Sequence, residues 1–203
     1  MTLHAVYFDL GGVLVRTEDH APRSQLAESL GLTESELEKE VFVNESSAQA
    51  SVGVISSDQH WKIVAQNLNL PEADIPRVRD GFFAGDLLDT ELVDFLRALR
   101  KSSIRVGLIS NAWSDLREWI AARHFEDAFD EMIISSEVGL AKPDARIYRM
   151  ALEKLGVAAS EAVFVDDMPA NVEGAQAVGM QAFQFTQSRE VVEQIRRLLA
   201  DPR

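Results

Sequence analysis

Three short apolar runs in this chain each stop on a polar or acidic residue. His4-Ala-Val-Tyr-Phe runs into Asp9, Val106-Gly-Leu-Ile into Ser110, and Ala162-Val-Phe-Val into the pair Asp166-Asp167. Runs of this length, rich in β-branched and aromatic residues, read as buried strands. Helical patterns alternate with them in the second half of the chain. Thr90 to Arg100 sets Leu92, Phe95, Leu96 and Leu99 on one helical face. Trp113 to Arg123 reads as a helix, Met132 to Ser135 as a strand, and Asp144 to Leu155 as a helix closed by Gly156. A further helix reaches Val178 and Gly179, followed by a strand over Gln181 to Phe185 and a last helix over Glu190 to Leu199. Such alternation predicts an α/β fold with a doubly wound parallel sheet.

Residues 16–88 break the pattern. They are charged and helical, with Thr33-Glu34-Ser35-Glu36 and Ser56-Ser57-Asp58-Gln59 each fitting a capping box at a helix start. Pro71 and Pro76 are expected in a turn region. The division that follows is a core made of 1–15 and 89–203, with 16–88 inserted as an all-helical cap. In open parallel sheets ligands bind beyond the carboxyl ends of the strands, where the three polar strand ends fall.

Composition narrows the chemistry. There are 20 basic and 33 acidic residues in 203, so the formal charge is 20 − 33 = −13. A chain this acidic is poorly suited to nucleic acid or an anionic membrane surface. No apolar stretch is long enough to span a bilayer. Met1-Thr-Leu-His4 lacks a basic n-region and Asp9 interrupts the first apolar run, so a signal peptide is not expected and a cytoplasmic location is. The absence of cysteine excludes a thiol nucleophile.

Each site residue has an ordinary reading as well as a chemical one. Asp9, followed by Leu10-Gly11-Gly12-Val13, could be a turn aspartate, or a nucleophile or metal ligand at a strand tip. Ser110-Asn111 could cap the next helix, or bind a phosphoryl oxygen there. Lys142, in Gly139-Leu-Ala-Lys142-Pro143-Asp144, could be a solvated loop lysine, or a fixed cation aimed at a shared anion. The adjacent carboxylates of Asp166 and Asp167 repel each other unless a cation sits beside them, and Mg²⁺ suits such a set. Together they suggest attack by a carboxylate on phosphorus, with Lys142 and Ser110 holding the other oxygens.

In this order, Phe8-Asp9-Leu-Gly-Gly-Val-Leu, Leu108-Ile-Ser110-Asn111, Gly139-Leu-Ala-Lys142-Pro143-Asp144 and Val165-Asp166-Asp167-Met-Pro-Ala-Asn171-Val-Glu-Gly174-Ala175 resemble the four motifs of the haloacid dehalogenase superfamily. The resemblance covers nearly the whole chain. It implies a Rossmann-like core, a helical cap after the first strand, and an Mg²⁺-dependent phosphatase acting on a small phosphorylated substrate, a sugar phosphate among the options. Carried across, Asp9 is the nucleophile and a metal ligand, and Gly11 offers its carbonyl to the metal. Asp166 and Asp167 hold the metal, Asp167 directly. Ser110, Asn111 and Lys142 bind the phosphoryl group, and Asn171 supports the acidic loop. The segment Gly53-Val-Ile-Ser56-Ser-Asp-Gln-His60-Trp61 is similar to one in a subgroup like α-D-glucose-1-phosphate phosphatases, although His60 and Trp61 are expected to pack inside the cap.

One position departs from the family pattern. Most phosphatases of this superfamily carry an aspartate two residues after the nucleophile as general acid and base, and here that residue is Gly11. Two expectations compete in consequence. One is a working phosphatase, as in sugar-1-phosphate relatives that share the glycine, with Glu18 or Asp19 available as substitute acids. The other is a weak or inactive member serving as a binding or regulatory protein. The tyrosine that dehalogenases of the superfamily usually carry in that same place is also missing, so dehalogenation is not expected.

Overall fold

The computed structural model describes residues 2–200. In chain order its elements are β1 Ala5–Phe8, β2 Val15–Thr17, α1 Ala21–Ser29, α2 Glu34–Phe42, α3 Glu45–Ser51, α4 Ser57–Asn67, α5 Ile75–Phe82, β3 Asp86–Leu88, α6 Thr90–Lys101, β4 Arg105–Ser110, α7 Leu116–Ala122, β5 Glu131–Ile134, α8 Ser135–Val138, α9 Ala145–Leu155, β6 Ala162–Asp166, α10 Pro169–Ala177, β7 Gln181–Gln184 and α11 Ser188–Ala200.

Five strands form one parallel sheet in the order β5-β4-β1-β6-β7. The chain starts in the middle, builds outward through β4 and β5, then returns to the other side for β6 and β7. β1 therefore lies at the switch point where a crevice opens. Both faces are covered, which is why the central strands read as unbroken apolar runs. Alternate residues face opposite ways. Val6, Phe8, Val106, Leu108, Val163 and Val165 meet the apolar stripes of α6, α7 and α11. Ala5, Tyr7, Ile109 and Phe164 meet Ile147, Tyr148, Ala151 and Leu155 of α9 and Ala175 of α10. The α/β doubly wound expectation thus holds.

Helices α1, α2, α4 and α5 bury a separate cluster that includes Leu26, Leu37, Val41, Trp61, Val64 and Phe82. Both expected capping boxes form: Thr33 Oγ1 accepts from Glu36 N–H, Ser56 Oγ from Gln59 N–H, and each partner side chain reaches back. Pro76, expected in a turn, instead sits in the first turn of α5, where a missing N–H costs nothing. The expected helix from Trp113 begins only at Leu116; before it, Ala112 N–H donates to Ser135 Oγ at the start of α8 and Ser114 Oγ accepts from Ser57 N–H at the start of α4.

A two-stranded antiparallel ribbon, β2 with β3, carries the chain into the helical block and out again, pairing Val15 with Leu88 and Thr17 with Asp86. It adds a short β element to a segment expected to be all helix. Arg23, buried on α1, locks the ribbon to the helices. Its guanidinium donates to Phe82 O at 3.1 Å, Glu38 Oε1 at 2.8 Å, Thr17 Oγ1 at 3.1 Å and Asp86 Oδ1 at 3.2 Å.

Candidate active site

The three polar strand ends converge. Phe8 is in register with Leu108 on one side and Val165 on the other, and Asp9 follows one residue later. Its main-chain N–H still donates to Val165 O at 2.9 Å. Asp9 Oδ1 accepts from Leu10 N–H at 2.7 Å and from Lys142 Nζ at 2.8 Å. The same ammonium donates to Asp166 Oδ2 at 2.6 Å, and neither the Lys142 nor the Asp166 side chain has any exposed surface.

Lys142 is held by its main chain. Asn111 Nδ2 donates to Lys142 O at 2.9 Å, and Asn111 Oδ1 accepts from Lys142 N–H at 2.8 Å. Both ends of the Asn111 side-chain amide are thus given to the loop of the cation. Next along, Ala112 N–H donates to Ser135 Oγ at 2.9 Å, a tie with no signal in the sequence. Ser110 is buried at the end of β4.

Asp166 has little coordinating capacity left. Besides Lys142 it accepts from Met168 N–H at 2.8 Å and from Asn171 Nδ2 at 2.9 and 3.1 Å. Asn171 therefore sits where it was expected, bracing the acidic loop, and its carbonyl accepts from Tyr148 Oη at 2.8 Å. Asp167 is half-buried and faces the loop after β1. A Cβ on Gly12 would lie 2.4 Å from Asp167 Oδ2, and Gly12 has φ of +75°, so no side chain fits there. Gly11 is the opposite case: exposed, with nothing within 4 Å of the place a Cβ would take.

Asp9, Asp166 and Asp167 each offer a carboxylate oxygen within 4.8 Å of the others, the one such acidic group among the described residues. With the Lys142 ammonium the formal charge is −3 + 1 = −2. Burial pushes the Asp9 carboxyl up to about 6, helped by the Asp166 charge and opposed by Lys142. Asp167 is raised as well, by burial and then by Asp166. The cluster is short of positive charge, and its hard oxygen donors fit a divalent cation such as Mg²⁺.

Glu18 and Asp19 do not join it. Glu18 Oε1 accepts from Arg16 Nε at 3.0 Å, and Asp19 Oδ1 accepts from Ala21 N–H at 2.9 Å at the start of α1. Neither is part of the carboxylate group. His60 and Trp61 are buried in the helical block, as expected, with the His60 ring 4.3 Å from that of Trp113.

Comparison with known proteins points one way. A sesquiterpene phosphatase of Aspergillus oryzae is 27% identical over 199 residues, spanning 98% of this chain and 97% of that protein. A D-ribitol-5-phosphate phosphatase of Bacteroides thetaiotaomicron is 27% identical over 191 residues, 88% of this chain and 90% of that one. The crystal structure of a HAD family enzyme from Bacteroides thetaiotaomicron, in complex with magnesium and inorganic phosphate, shares the fold, with a TM-score of 0.75 at 22% identity over 91% of this chain and 94% of that one. The family model described as haloacid dehalogenase-like hydrolase matches residues 3–179. With its four motifs gathered at one sheet edge and that match over most of its length, the chain belongs to the haloacid dehalogenase-like hydrolases.

Proposed function

We propose that this hydrolase is a cytoplasmic, magnesium-dependent phosphomonoesterase that acts on a small phosphorylated molecule through an aspartyl phosphate on Asp9. The observation that carries the reading is the buried group of Asp9, Asp166 and Asp167 bridged by one ammonium. The phosphatases among the relatives support it.

Leu10 and Lys142 hold Asp9 Oδ1, which leaves Oδ2 to attack phosphorus. The phosphorus–ester bond breaks as the new phosphorus–Oδ2 bond forms, and the electron pair leaves on the substrate oxygen. Lys142 and Ser110 bind the phosphoryl oxygens as charge spreads over them. Asn111 fixes Lys142 through its main chain. With Gly11 in place of an acid, the departing oxygen takes its proton from solvent. Water then attacks the acyl phosphate, phosphate leaves, and the Asp9 carboxylate is restored. Asp9, Asp167 and the Gly11 carbonyl would hold Mg²⁺, with Asp166 behind them, and the ion supplies the charge neutralisation that lets an anionic ester approach a carboxylate.

Phosphate release from p-nitrophenyl phosphate, with Mg²⁺ and with chelator, tests the reading. The rate is expected to require the ion and to vanish in folded Asp9→Asn. Retention of more than a few per cent in that variant would remove Asp9 from the role of nucleophile.

A further inference from the structure

Where the loop after β4 leaves Ser110, it forms a group of aromatic rings with the helical block, of which Phe42 is exposed and Phe83 and Trp113 are partly buried. Phe42, at the end of α2, keeps 47% of its surface exposed, and Val43 beyond it 74%. Phe42 packs edge-on to Phe83 at 6.2 Å and against Trp113 at 5.8 Å. Trp113 belongs to the core, three residues after Ser110. Its loop is fixed on either side: Asn111 grips Lys142, and Ser114 Oγ accepts from Ser57 N–H of α4 at 3.0 Å. An aromatic shelf thus runs from the helical block onto the loop that leads to the phosphoryl-binding residues.

Of the polar groups on the helical block next to it, those of Asn44, Ser57 and His60 are spent or sealed. Asn44 Oδ1 accepts from Ser46 Oγ and Ser47 N–H, both at 2.8 Å. His60 Nδ1 meets Ser46 Oγ at 2.8 Å behind the Trp113 ring, and Ser57, His60 and Trp61 are all buried. A polyol needs exposed donors and acceptors to replace its water, whereas this shelf offers ring faces and edges. Exposed aromatic surface costs free energy, and an extended apolar occupant recovers most of it because recovery scales with the apolar area covered.

We infer that the substrate is a phosphomonoester whose organic part is apolar, an extended hydrocarbon or aryl group seated on Phe42, Phe83 and Trp113, and not a polyol or sugar. The inference rests on the phosphomonoesterase reading. It separates two chemistries found among the relatives, since a sesquiterpene phosphatase and a D-ribitol-5-phosphate phosphatase are each 27% identical to this chain.

The test is kcat/KM for a series of para-alkylphenyl phosphates from methyl to octyl, whose leaving groups have nearly constant acidity. One fully buried methylene carries about fourfold, so burial of even part of the chain raises kcat/KM at least about tenfold across the series. A terminal hydroxyl on the butyl member should cancel its gain. Phe42→Ser, a change at an exposed residue, should cut the octyl-to-methyl ratio to about threefold or less. A flat series, or a ratio unmoved by Phe42→Ser, overturns the inference while p-nitrophenyl phosphate turnover keeps the phosphatase reading standing. If p-nitrophenyl phosphate is not hydrolysed with Mg²⁺ present, the reading falls and this inference falls with it.

Discussion

The Lys142 ammonium stands 2.6 Å from Asp166 Oδ2, with both side chains fully out of water. No solvent can compensate if either charge is removed. Lys142→Met should therefore lower the stability of the metal-free protein by about 3 kcal/mol or more, the usual cost of breaking a buried pair from one side. Denaturant melts in chelator measure this. Saturating Mg²⁺ should recover part of the loss, but phosphatase activity should stay at least about a hundredfold down, since the phosphoryl oxygens lose a charged partner. Equal melting of variant and parent would mean that the pair is not formed.

Asp9 gives a pH signature. Its folded-state value is pushed from 3.8 to about 6 by burial, so between these limits the folded protein holds a proton that the unfolded chain has released. Stability from this group is greatest below about pH 4, falls as pH rises towards 6, and stays at the lower level above that. Asp9→Asn removes the group. The melting difference between variant and parent, taken in chelator, should shift in favour of the variant from pH 4 to about 6.5 and then level off. A constant difference would show that Asp9 titrates as it does in water.

Magnesium should act in the same direction. Binding to the folded state alone raises stability by mass action, about 2.7 kcal/mol at a concentration a hundred times Kd. The parent's melting temperature at pH 7.5 should rise with millimolar-range Mg²⁺, and that of Asp167→Ala should rise much less. A parent melt indifferent to chelator and Mg²⁺ would rule out a metal site at the cluster.

Gly12 and Gly11 should respond oppositely to substitution. Gly12→Ala forces a Cβ onto the Asp167 carboxylate, so Mg²⁺ affinity measured by calorimetry should fall at least about tenfold. Gly11→Asp enters open space and places a carboxyl near the departing oxygen. General acids contribute about 10²–10⁴-fold, and part of that gain should appear with alkyl phosphates and little of it with aryl ones. In the parent, glucose-1-phosphate should be cleaved better than glucose-6-phosphate, because the anomeric oxygen leaves more easily unprotonated. Glu18→Gln should leave kcat/KM within about twofold. A large loss in that variant would make Glu18 the missing acid despite its bond to Arg16.

Local chemistry made much of this architecture readable in the sequence. The central strands announce themselves because both of their faces are buried, and both capping boxes are complete within four consecutive residues. Asp9, Ser110 and Asp166 could be grouped because parallel strands bring their carboxyl ends to one edge. Pairings between distant segments left no such mark. The ribbon joins Val15–Thr17 to Asp86–Leu88, three residues a side, and its Thr17 Oγ1 to Asp86 Oδ1 bond spans 69 positions. Nothing near Arg23 signals that its charge is buried among Thr17, Glu38 and Asp86. The grip of Asn111 on Lys142 crosses 31 positions and left no mark beside either residue. Trp113 fits a helical pattern and yet is held out of the helix by packing on His60 and Phe42.

The ribbon has one more consequence. Thr17 and Asp86, where the chain leaves the core and where it returns, are hydrogen-bonded neighbours. To the sheet, everything between them is a single loop whose two ends already touch, and the entropy of closing such a loop depends only weakly on its length. The helical block can therefore be lengthened, trimmed or exchanged for another without moving Asp9 relative to Asp166. Chimeras that graft a foreign block between Thr17 and Asp86 should keep the carboxylates of Asp9, Asp166 and Asp167 together.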